Sequence, residues 1–342
     1  MNSDFWSQLT KPFVVIAPMA DVTDPAFRQI IAKYSRMGSK DGGPAVMWTE
    51  FVSADGLCSP GRKTLERDLA YSETERPIVA QLFTAHPEKM EQAAALAAKL
   101  GFDGIDINMG CPDRSIEKQG AGAAHIKDPA TAKEVIRAAK RGAGGLPVSV
   151  KTRVGYNKVE IDTWIPAILE EGIAALTIHA RTRKEMSDVP ARWEHVKEVV
   201  AIRDRMGLST KIIGNGDVTS LEDAYAKIET SGADGAMVGR GIFGNPWFFD
   251  MTSPMRHALS ADAKLSDPKV REYVAEKLRV MVEHTQLFEK LLGDYKNFAI
   301  MKKHYKAYVH GWEGSKELRL KLMETTSAAE VSVTVDNYLA AY

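Results

Sequence analysis

Eight short runs of apolar, mostly β-branched residues recur along the chain, and segments with a helical pattern separate them. The runs are FVVIAPM (13–19), AVMWTEF (45–51), PIVAQLF (77–83), DGIDINM (103–109), PVSVKTR (147–153), AALTIHA (174–180), TKIIGNG (210–216) and DGAMVGR (234–240). Most of them are continuous rather than alternating, as expected of parallel strands covered on both faces. Strands that alternate with helices indicate βαβ units, and eight such units in about 250 residues predict an α/β fold of the (β/α)8, or TIM, barrel type.

The intervening segments carry the start and stop signals of helices. Residues 87–101, 128–142 and 219–232 have apolar residues at helical spacing, and Asp128 with Pro129 supplies a cap and a first turn. These helices would cover the outside of the barrel.

A doubly wound sheet is the alternative arrangement of such units. It requires a dinucleotide-binding fingerprint close to the first strand, and the stretch APMADVTD that follows this strand contains none. A GxGxxG match at residues 239–244 stands at the end of the series instead, so we expect the barrel.

The pattern changes after Pro246. No strand pattern follows, and residues 268–342 read as helices with apolar positions three and four apart, with Gly293 and Gly311 as stops. The polar segment 251–267 suggests a boundary. We therefore predict a barrel domain at 1–250 and a small helical bundle domain at 251–342.

Composition limits the class of protein. Forty-five basic and 45 acidic residues cancel, which gives no global sign of a nucleic-acid partner and leaves a local basic patch open. The two cysteines, Cys58 and Cys111, form no CxxC motif, so we expect neither a disulfide scaffold nor a metal site. No signal peptide and no apolar run of about 20 residues is present, which predicts a soluble cytoplasmic protein without a membrane partner.

Two glycine-rich loops stand where barrel enzymes commonly bind phosphate. The loop after the seventh run spans residues 214–220, and the loop after the eighth spans 239–246 and includes Arg240. Glycines let backbone N–H groups approach an anion, and an arginine can bind its oxygens bidentately. Tight turns alone could explain the glycines, but two such loops in these two positions favour phosphate.

Polar residues end several other strands. Gln81, Lys151, Arg153, His179 and Arg181 would be costly inside a dry barrel without partners. They could make structural hydrogen bonds at the rim. Together with a phosphate cradle they outline a planar, phosphate-tailed cofactor, and flavin mononucleotide (FMN) fits, with Lys151 near the electron-rich end of the ring, Gln81 on the pyrimidine edge and His179 on the tail.

The motifs resemble those of the tRNA-dihydrouridine synthase family. APMADVTDPAFR (17–28) resembles the family's opening strand and turn, and DGIDINMGCPDRSIEKQGAGAAH (103–125) resembles its catalytic loop. VSVKTRVGY (148–156), TIHARTR (177–183), IIGNGDV (212–218) and GAMVGRG (235–241) follow in the family's order. The Cys-Pro loop is the specific element, since other flavin barrels share the remaining segments more loosely.

The resemblance implies a set of site residues. The general acid would be Cys111, and Asn108 would hold the flavin or the uracil. The flavin contacts would be Pro18, Met19, Ala20, Gln81, Lys151, His179, Asn215, Gly216, Asp217, Gly239 and Arg240. Ser187 and Val189 depart from the Tyr and Gly common in the family, which leaves the choice of target uridine open.

The implied reaction is reduction of the C5–C6 double bond of a uridine in tRNA, with NADPH, or alternatively NADH, as reductant. Reduced flavin would deliver hydride to C6, and C5 would take a proton from the other face. A thiol with an ordinary pKa of about 8.5 is mostly protonated at neutral pH and can supply that proton. A buried, inert packing thiol is the alternative for Cys111.

A basic segment near the carboxyl terminus is a candidate tRNA surface. Residues 294–321 contain seven basic and three acidic residues, a local net charge of +4. Lys302, Lys303 and His304, together with Arg181 of the barrel, are the expected RNA contacts, and three interleaved aromatics (Tyr305, Tyr308 and Trp312) could stack on bases. The alternative is a solvated helix face with its aromatics in a core.

Two other functions remain open from the sequence. The first is a flavin barrel that reduces or oxidises a small pyrimidine, in the manner of a dihydroorotate dehydrogenase, although this leaves the basic tail unexplained. The second is an RNA-binding barrel without catalysis, which leaves Cys111, Lys151 and Arg240 unexplained. For the tRNA-dihydrouridine synthase reading we expect a monomer.

Overall fold

The computed structural model of the chain describes residues 5–260 and 263–341. Contacts divide it into two compact units. The barrel unit comprises the described residues up to Ala20 together with Pro44–Gly241, and the helical unit comprises Asp21–Gly43 together with the described residues from Ile242 onward. No described helix is long and apolar enough to cross a membrane.

The strands are β1 (Phe13–Ile16), β2 (Met47–Trp48), β3 (Val52–Ser53), β4 (Ile78–Phe83), β5 (Gly104–Met109), β6 (Val148–Arg153), β7 (Ala175–His179), β8 (Lys211–Asn215) and β9 (Gly235–Val238). The helices are α1 (Phe5–Gln8), α2 (Pro25–Tyr34), α3 (Ala54–Leu57), α4 (Arg62–Glu66), α5 (Pro87–Lys99), α6 (Arg114–Glu117), α7 (Pro129–Gly142), α8 (Ile161–Leu169), α9 (Trp193–Arg205), α10 (Leu221–Ser231), α11 (Pro268–Leu292), α12 (Met301–Tyr308), α13 (Ser315–Glu324) and α14 (Ala328–Leu339).

The strands form one parallel sheet that curls into a barrel. Their order is β1-β9-β8-β7-β6-β5-β4-β2, and β3 pairs separately with β4. The two ends of this path meet, because the N–H of Ala45 donates to the carbonyl of Val14 at 2.8 Å and the N–H of Ile16 donates to that of Val46 at 3.4 Å. The (β/α)8 barrel predicted from the sequence is confirmed.

The continuous apolar runs form strands because both of their faces are covered. Five strands (β1, β2, β4, β5 and β9) are buried at every residue. The helix signals also hold, since the Asp128 side chain accepts from the N–H of Thr131 at 3.1 Å and Pro129 opens α7. The second run is the weakest, with only the two residues of β2 paired as strand.

The helical unit includes a helix from the amino-terminal part of the chain. Helix α2 packs on α11, and its Ala26 and Ile30 share a core with Val274 and Leu278 of that helix. The Ser35 hydroxyl donates to the carbonyl of Pro246 at 2.6 Å. The structure therefore groups residues 21–43 and 242–250 with the carboxyl-terminal helices, in place of the single boundary expected at 250.

Helix α12 of the basic segment is amphipathic. Met301, His304, Tyr305 and Tyr308 are buried at a helical spacing of three and four residues. Trp312 is buried as well, and its indole N–H donates to the hydroxyl of Tyr338 at 2.9 Å. The expectation that Tyr305, Tyr308 and Trp312 stack on bases is therefore wrong, because their rings are buried in the core of the helical unit. Direct RNA contact by His304 is wrong for the same reason.

The core of the helical unit holds a pair of unpartnered histidines. His284 of α11 and His304 are fully buried, and their ring centroids lie 4.8 Å apart. Within the described part of the chain, none of their four ring nitrogens has a hydrogen-bond partner. Burial lowers the pKa of His284 to about 3 and that of His304 well below its ordinary value. Both side chains are therefore neutral at pH 7.

These histidines should make the stability of the protein sensitive to mild acid. A histidine whose folded pKa is lowered stabilises the fold above its unfolded pKa of about 6.5, and this stabilisation is lost as the pH falls. For His284 the loss is about 2 kcal/mol at pH 5. We expect His284→Phe to flatten the free energy of unfolding between pH 7.5 and 5, measured by denaturant titration. An equal slope in parent and variant would contradict this.

Candidate functional site

The register of the barrel strands brings polar side chains together at their carboxyl ends. Asn108 of β5 pairs with Lys151 of β6, Arg153 pairs with His179 of β7, and His179 pairs with Asn215 of β8. Alternate residues of a strand share a face, so Lys151 and Arg153 lie on the same side of β6. A cluster of cations and amides results.

A cavity of about 690 Å³ opens at this end of the barrel. It is lined by Ala17, Pro18, Met19, Lys151, Arg153, His179, Arg181, Ser187, Asn215, Gly216, Asp217, Val218, Thr219, Gly239, Arg240 and Gly241. The structure thus brings most of the predicted cofactor contacts to one cavity. Two of the predicted contacts, Gln81 and Ala20, do not line the cavity.

The loops after β8 and β9 form a cradle with the properties of an anion site. Gly216 has a φ of 125°, which favours glycine, and Gly239 follows β9 directly. In the part of the chain that the structure describes, the N–H groups of these two glycines donate no hydrogen bond. Arg240 is exposed beside them. Free N–H groups next to a guanidinium are the donors that a phosphate requires.

Gly241 allows these two loops to touch. A Cβ atom at this position would lie 2.4 Å from the carbonyl oxygen of Val218, which belongs to the loop after β8. Such a contact is impossible without moving backbone atoms. The absence of a side chain at Gly241 therefore sets the spacing of the cradle.

Lys151 is a cation held without a partner. Its ammonium makes no hydrogen bond or ion pair with any other described residue, and the side chain lines the cavity. Burial, with repulsion from Arg153, lowers the pKa of Lys151 to about 8. The group is still mainly charged at pH 7, and it suits an electron-rich atom of a ligand.

His179 is held neutral beside Arg181. Burial and neighbouring cations lower the pKa of His179 well below its ordinary value, and its Nε2 lies 3.1 Å from Nη1 of Arg181. Since arginine only donates, Nε2 must accept and Nδ1 carries the proton. Asp217 completes the group by accepting from Nη2 of Arg181 and, at 2.8 Å, from the N–H of Ala191.

Arg181, expected to contact RNA, is a largely buried part of the cavity lining. Its side chain is 3% exposed, and it binds His179, Asp217 and the carbonyl of Val189. Arg181 thus orients two of the residues expected to contact the cofactor, and because it also lines the cavity, its expected contact with RNA remains a prediction.

Cys111 lies on a short turn whose backbone is fixed. The Asn108 side chain accepts from the N–H groups of Gly110 at 3.1 Å and Cys111 at 2.9 Å. The thiol is half-buried against an apolar cluster that includes Phe83 and Ile116. Burial raises the pKa of the Cys111 thiol, so the group is protonated at neutral pH.

Arg153 is a site residue to which the sequence assigned no specific role. Its Nε donates to the carbonyl of Gly110 at 2.8 Å, and its Nη1 donates to those of Thr182 and Met186, each at 3.0 Å. Burial lowers its pKa to about 10, which leaves it charged. The residue joins the Cys111 turn to the loop after β7. The sequence signal that could have identified Arg153 as a site residue is its position two residues after Lys151, on the same face of the strand.

Asp106 is the second residue that sequence reasoning missed. It lies two residues before Asn108 on β5 and is fully buried. Gln81 donates to it at 2.6 Å, so the amide of Gln81 is held inside the barrel wall. Burial raises the pKa of Asp106 to about 6, and the carboxyl is mainly ionised at pH 7.

Fold and site together define a barrel enzyme with a cationic cavity and an anion cradle at its strand ends. The family model for dihydrouridine synthases matches residues 15–341. A probable tRNA-dihydrouridine synthase of Staphylococcus aureus is 39% identical over 343 residues, which cover 99% of this chain and 97% of the relative. A probable tRNA-dihydrouridine synthase 2 of Bacillus subtilis is 38% identical over 345 residues, or 100% of this chain and 98% of the relative. The chain belongs to the dihydrouridine synthase family.

Proposed function

We propose that this protein reduces the C5–C6 double bond of uridine in tRNA, with FMN as cofactor and NADPH as reductant. The observation that carries the proposal is a protonated, half-buried thiol on a fixed turn of the same barrel that holds the cationic cavity and its anion cradle. The names of the relatives supply the tRNA substrate.

The residues present fit FMN. The cradle offers two free backbone N–H groups and Arg240 for the phosphate, and Lys151 offers an unpaired ammonium for the electron-rich end of the ring. The other proposed contacts are Pro18, Met19, Ala20, Gln81, His179, Asn215, Gly216, Asp217 and Gly239. When bound, FMN would supply the hydride chemistry, passing a hydride from NADPH to C6 of the uracil.

The chain itself supplies the proton. As C6 gains the hydride, the electron pair of the double bond moves onto C5, and Cys111 gives its thiol proton to C5. The resulting thiolate regains a proton from solvent. Asn108 holds the Cys111 turn by accepting its N–H groups, and Arg153 holds the same turn through the carbonyl of Gly110.

The helical unit is the proposed tRNA surface. On α12, Lys302, Lys303 and Lys306 alternate with the buried residues, and within the described residues they form no ion pair. Unpaired lysines on one helix are suited to phosphate contacts, since each releases counterions from RNA on binding. The monomeric state and the cytoplasmic location remain predictions.

Gly241→Ala should weaken FMN binding. The added Cβ would meet the carbonyl of Val218 at 2.4 Å and force the two cradle loops apart. We expect the dissociation constant of FMN to rise about tenfold or more, since overpacking of this kind costs roughly 1–3 kcal/mol. Flavin fluorescence quenching measures it. Gly61→Ala is the matched control, because its Cβ would lie 3.4 Å from the hydroxyl of Ser59. Equal affinities in both variants would contradict the prediction.

The test of the function is nucleoside analysis of unmodified tRNA incubated with the purified protein, FMN and NADPH. Mass spectrometry should detect dihydrouridine, which is two hydrogens heavier than uridine. Free uridine, uracil and orotate are assayed in parallel. If the protein is yellow, is bleached by NADPH and acts on a free pyrimidine but not on tRNA, then the free pyrimidine and not tRNA is its substrate. A protein that binds no flavin would overturn the proposal.

A further inference from the structure

A continuous hydrogen-bond chain runs from the barrel interior to the Cys111 turn. At its inner end, both carboxylate oxygens of Asp106 accept hydrogen bonds. The Ser149 hydroxyl donates to Oδ1 at 2.5 Å, and Nε2 of Gln81 donates to Oδ2 at 2.6 Å. Asp106 and Gln81 are fully buried, and Ser149 is 2% exposed. Solvent is therefore excluded from this end of the chain.

The chain continues through two amides. Nδ2 of Asn108 donates to Oε1 of Gln81 at 3.2 Å, and Oδ1 of Asn108 accepts from the N–H of Gly110 and of Cys111. Each link joins adjacent strands or a strand and its following turn. The last acceptor therefore holds the backbone of the residue that carries the thiol.

The direction of every link follows from Asp106. An ionised carboxylate only accepts, so Gln81 must turn its amino group toward it. The carbonyl of Gln81 then faces Asn108, whose amino group must donate a hydrogen bond to it. The carbonyl of Asn108 is thereby left for the two N–H groups of the turn. A reversed Asn108 would place its amino group against those N–H groups, and a reversed Gln81 would place its carbonyl against the carboxylate, each at the cost of unpaired buried groups.

We propose that Asp106 is a positioning residue that fixes the orientation of the Gln81 and Asn108 amides and so holds the Cys111 thiol in place. Lys151 lies on the neighbouring strand, and its charge is one of the influences that lower the pKa of Asp106 against the effect of burial. Asp106 does not touch the reacting atoms. The inference rests on the proposed function for its effect on catalysis, but its effect on the thiol is independent of any substrate.

Thiol reactivity tests the proposal directly. In a Cys58→Ala background, the rate of iodoacetamide alkylation at Cys111 is followed by mass spectrometry of the peptide that contains it. Asp106→Ala removes the acceptor for Gln81, and we expect alkylation to rise about tenfold as the turn loosens. The same variant should lower dihydrouridine formation about tenfold or more.

Two matched variants separate orientation from bulk. In Asp106→Asn the side-chain oxygen can still accept from Gln81, because the Ser149 hydroxyl can accept from the new amino group and turn its hydrogen to the carbonyl of Ile105, 3.4 Å away. We expect this variant to restore parental alkylation within about threefold. Ser149→Ala removes one donor and leaves the amides oriented, so we expect parental alkylation there as well.

The outcomes are distinct. Parental alkylation in a folded Asp106→Ala protein overturns the proposal, as does equal alkylation of the alanine and asparagine variants. If Asp106→Ala does not fold, Gln81→Met breaks the same chain one link further on, and its Cys111 must be alkylated faster for the proposal to stand. Faster alkylation in a protein that forms no dihydrouridine from tRNA supports the positioning role while the proposed function fails.

Discussion

Cys111→Ala should lower the rate of uridine reduction by about 100-fold or more while leaving bound flavin and its reduction by NADPH intact. Alanine removes the proton that C5 requires, and it leaves the cavity lining and the cradle unchanged, because Cys111 is not part of either. The half-buried thiol has a raised pKa. Activity of the parent should therefore persist through neutral pH and fall only in alkali, as the thiol ionises.

Single-turnover kinetics make this measurement. The protein is reduced with NADPH under anaerobic conditions, mixed with unmodified tRNA, and the reoxidation of flavin is followed by absorbance. Cys58→Ala is the control, since Cys58 ends α3, its thiol donates to the carbonyl of Lys89 at 3.7 Å, and it is not part of the cavity lining. Parental reoxidation by tRNA in Cys111→Ala would remove Cys111 from the mechanism.

Reversing the charges of Lys302 and Lys303 should have the second largest effect. Lys302→Glu with Lys303→Glu replaces two phosphate-binding cations by anions, and we expect tRNA affinity to fall on the order of tenfold or more at moderate salt. The slope of log affinity against log salt concentration should also decrease by about one for each lysine that contacts a phosphate. FMN affinity should not change.

Fluorescence anisotropy of labelled tRNA over a range of salt concentrations checks both expectations. The matched control is Lys99→Glu with Lys197→Glu, which makes the same change of net charge on exposed positions of α5 and α9. If the two double variants bind tRNA with the same affinity and the same salt slope, the α12 lysines do not form the RNA surface.

The sequence predicts the barrel well because its strands are buried on both faces. That environment demands continuous apolar runs, and the cradle glycines stand at strand ends that the parallel topology brings together. The sequence did not predict that α2 belongs to the helical unit. Its apolar stripe resembles that of any barrel helix, and its packing on α11 involves residues more than 200 positions away.

The burial of polar residues was the second feature that the sequence could not predict. Arg181 and His304 are residue types that are common on RNA-binding surfaces. Both are buried, because each contacts residues that are distant in the sequence. Asp217 lies 36 residues after Arg181, and His284 lies 20 residues before His304. Residues that alternate along a strand were easier to infer. Asp106 and Arg153 lie two positions from residues already assigned to the site, on the same strand faces.

The hydrogen bonds that Arg153 donates to the turn of Cys111 and to the loop after β7 go to main-chain oxygens. Every amino acid presents the same carbonyl group, so the side chains of both loops can be exchanged without breaking this anchor. Ser187 and Val189 lie in the second loop, where substitutions would alter the rim of the cavity and leave the thiol supported. The support of the Cys111 turn therefore does not depend on which side chains this loop carries.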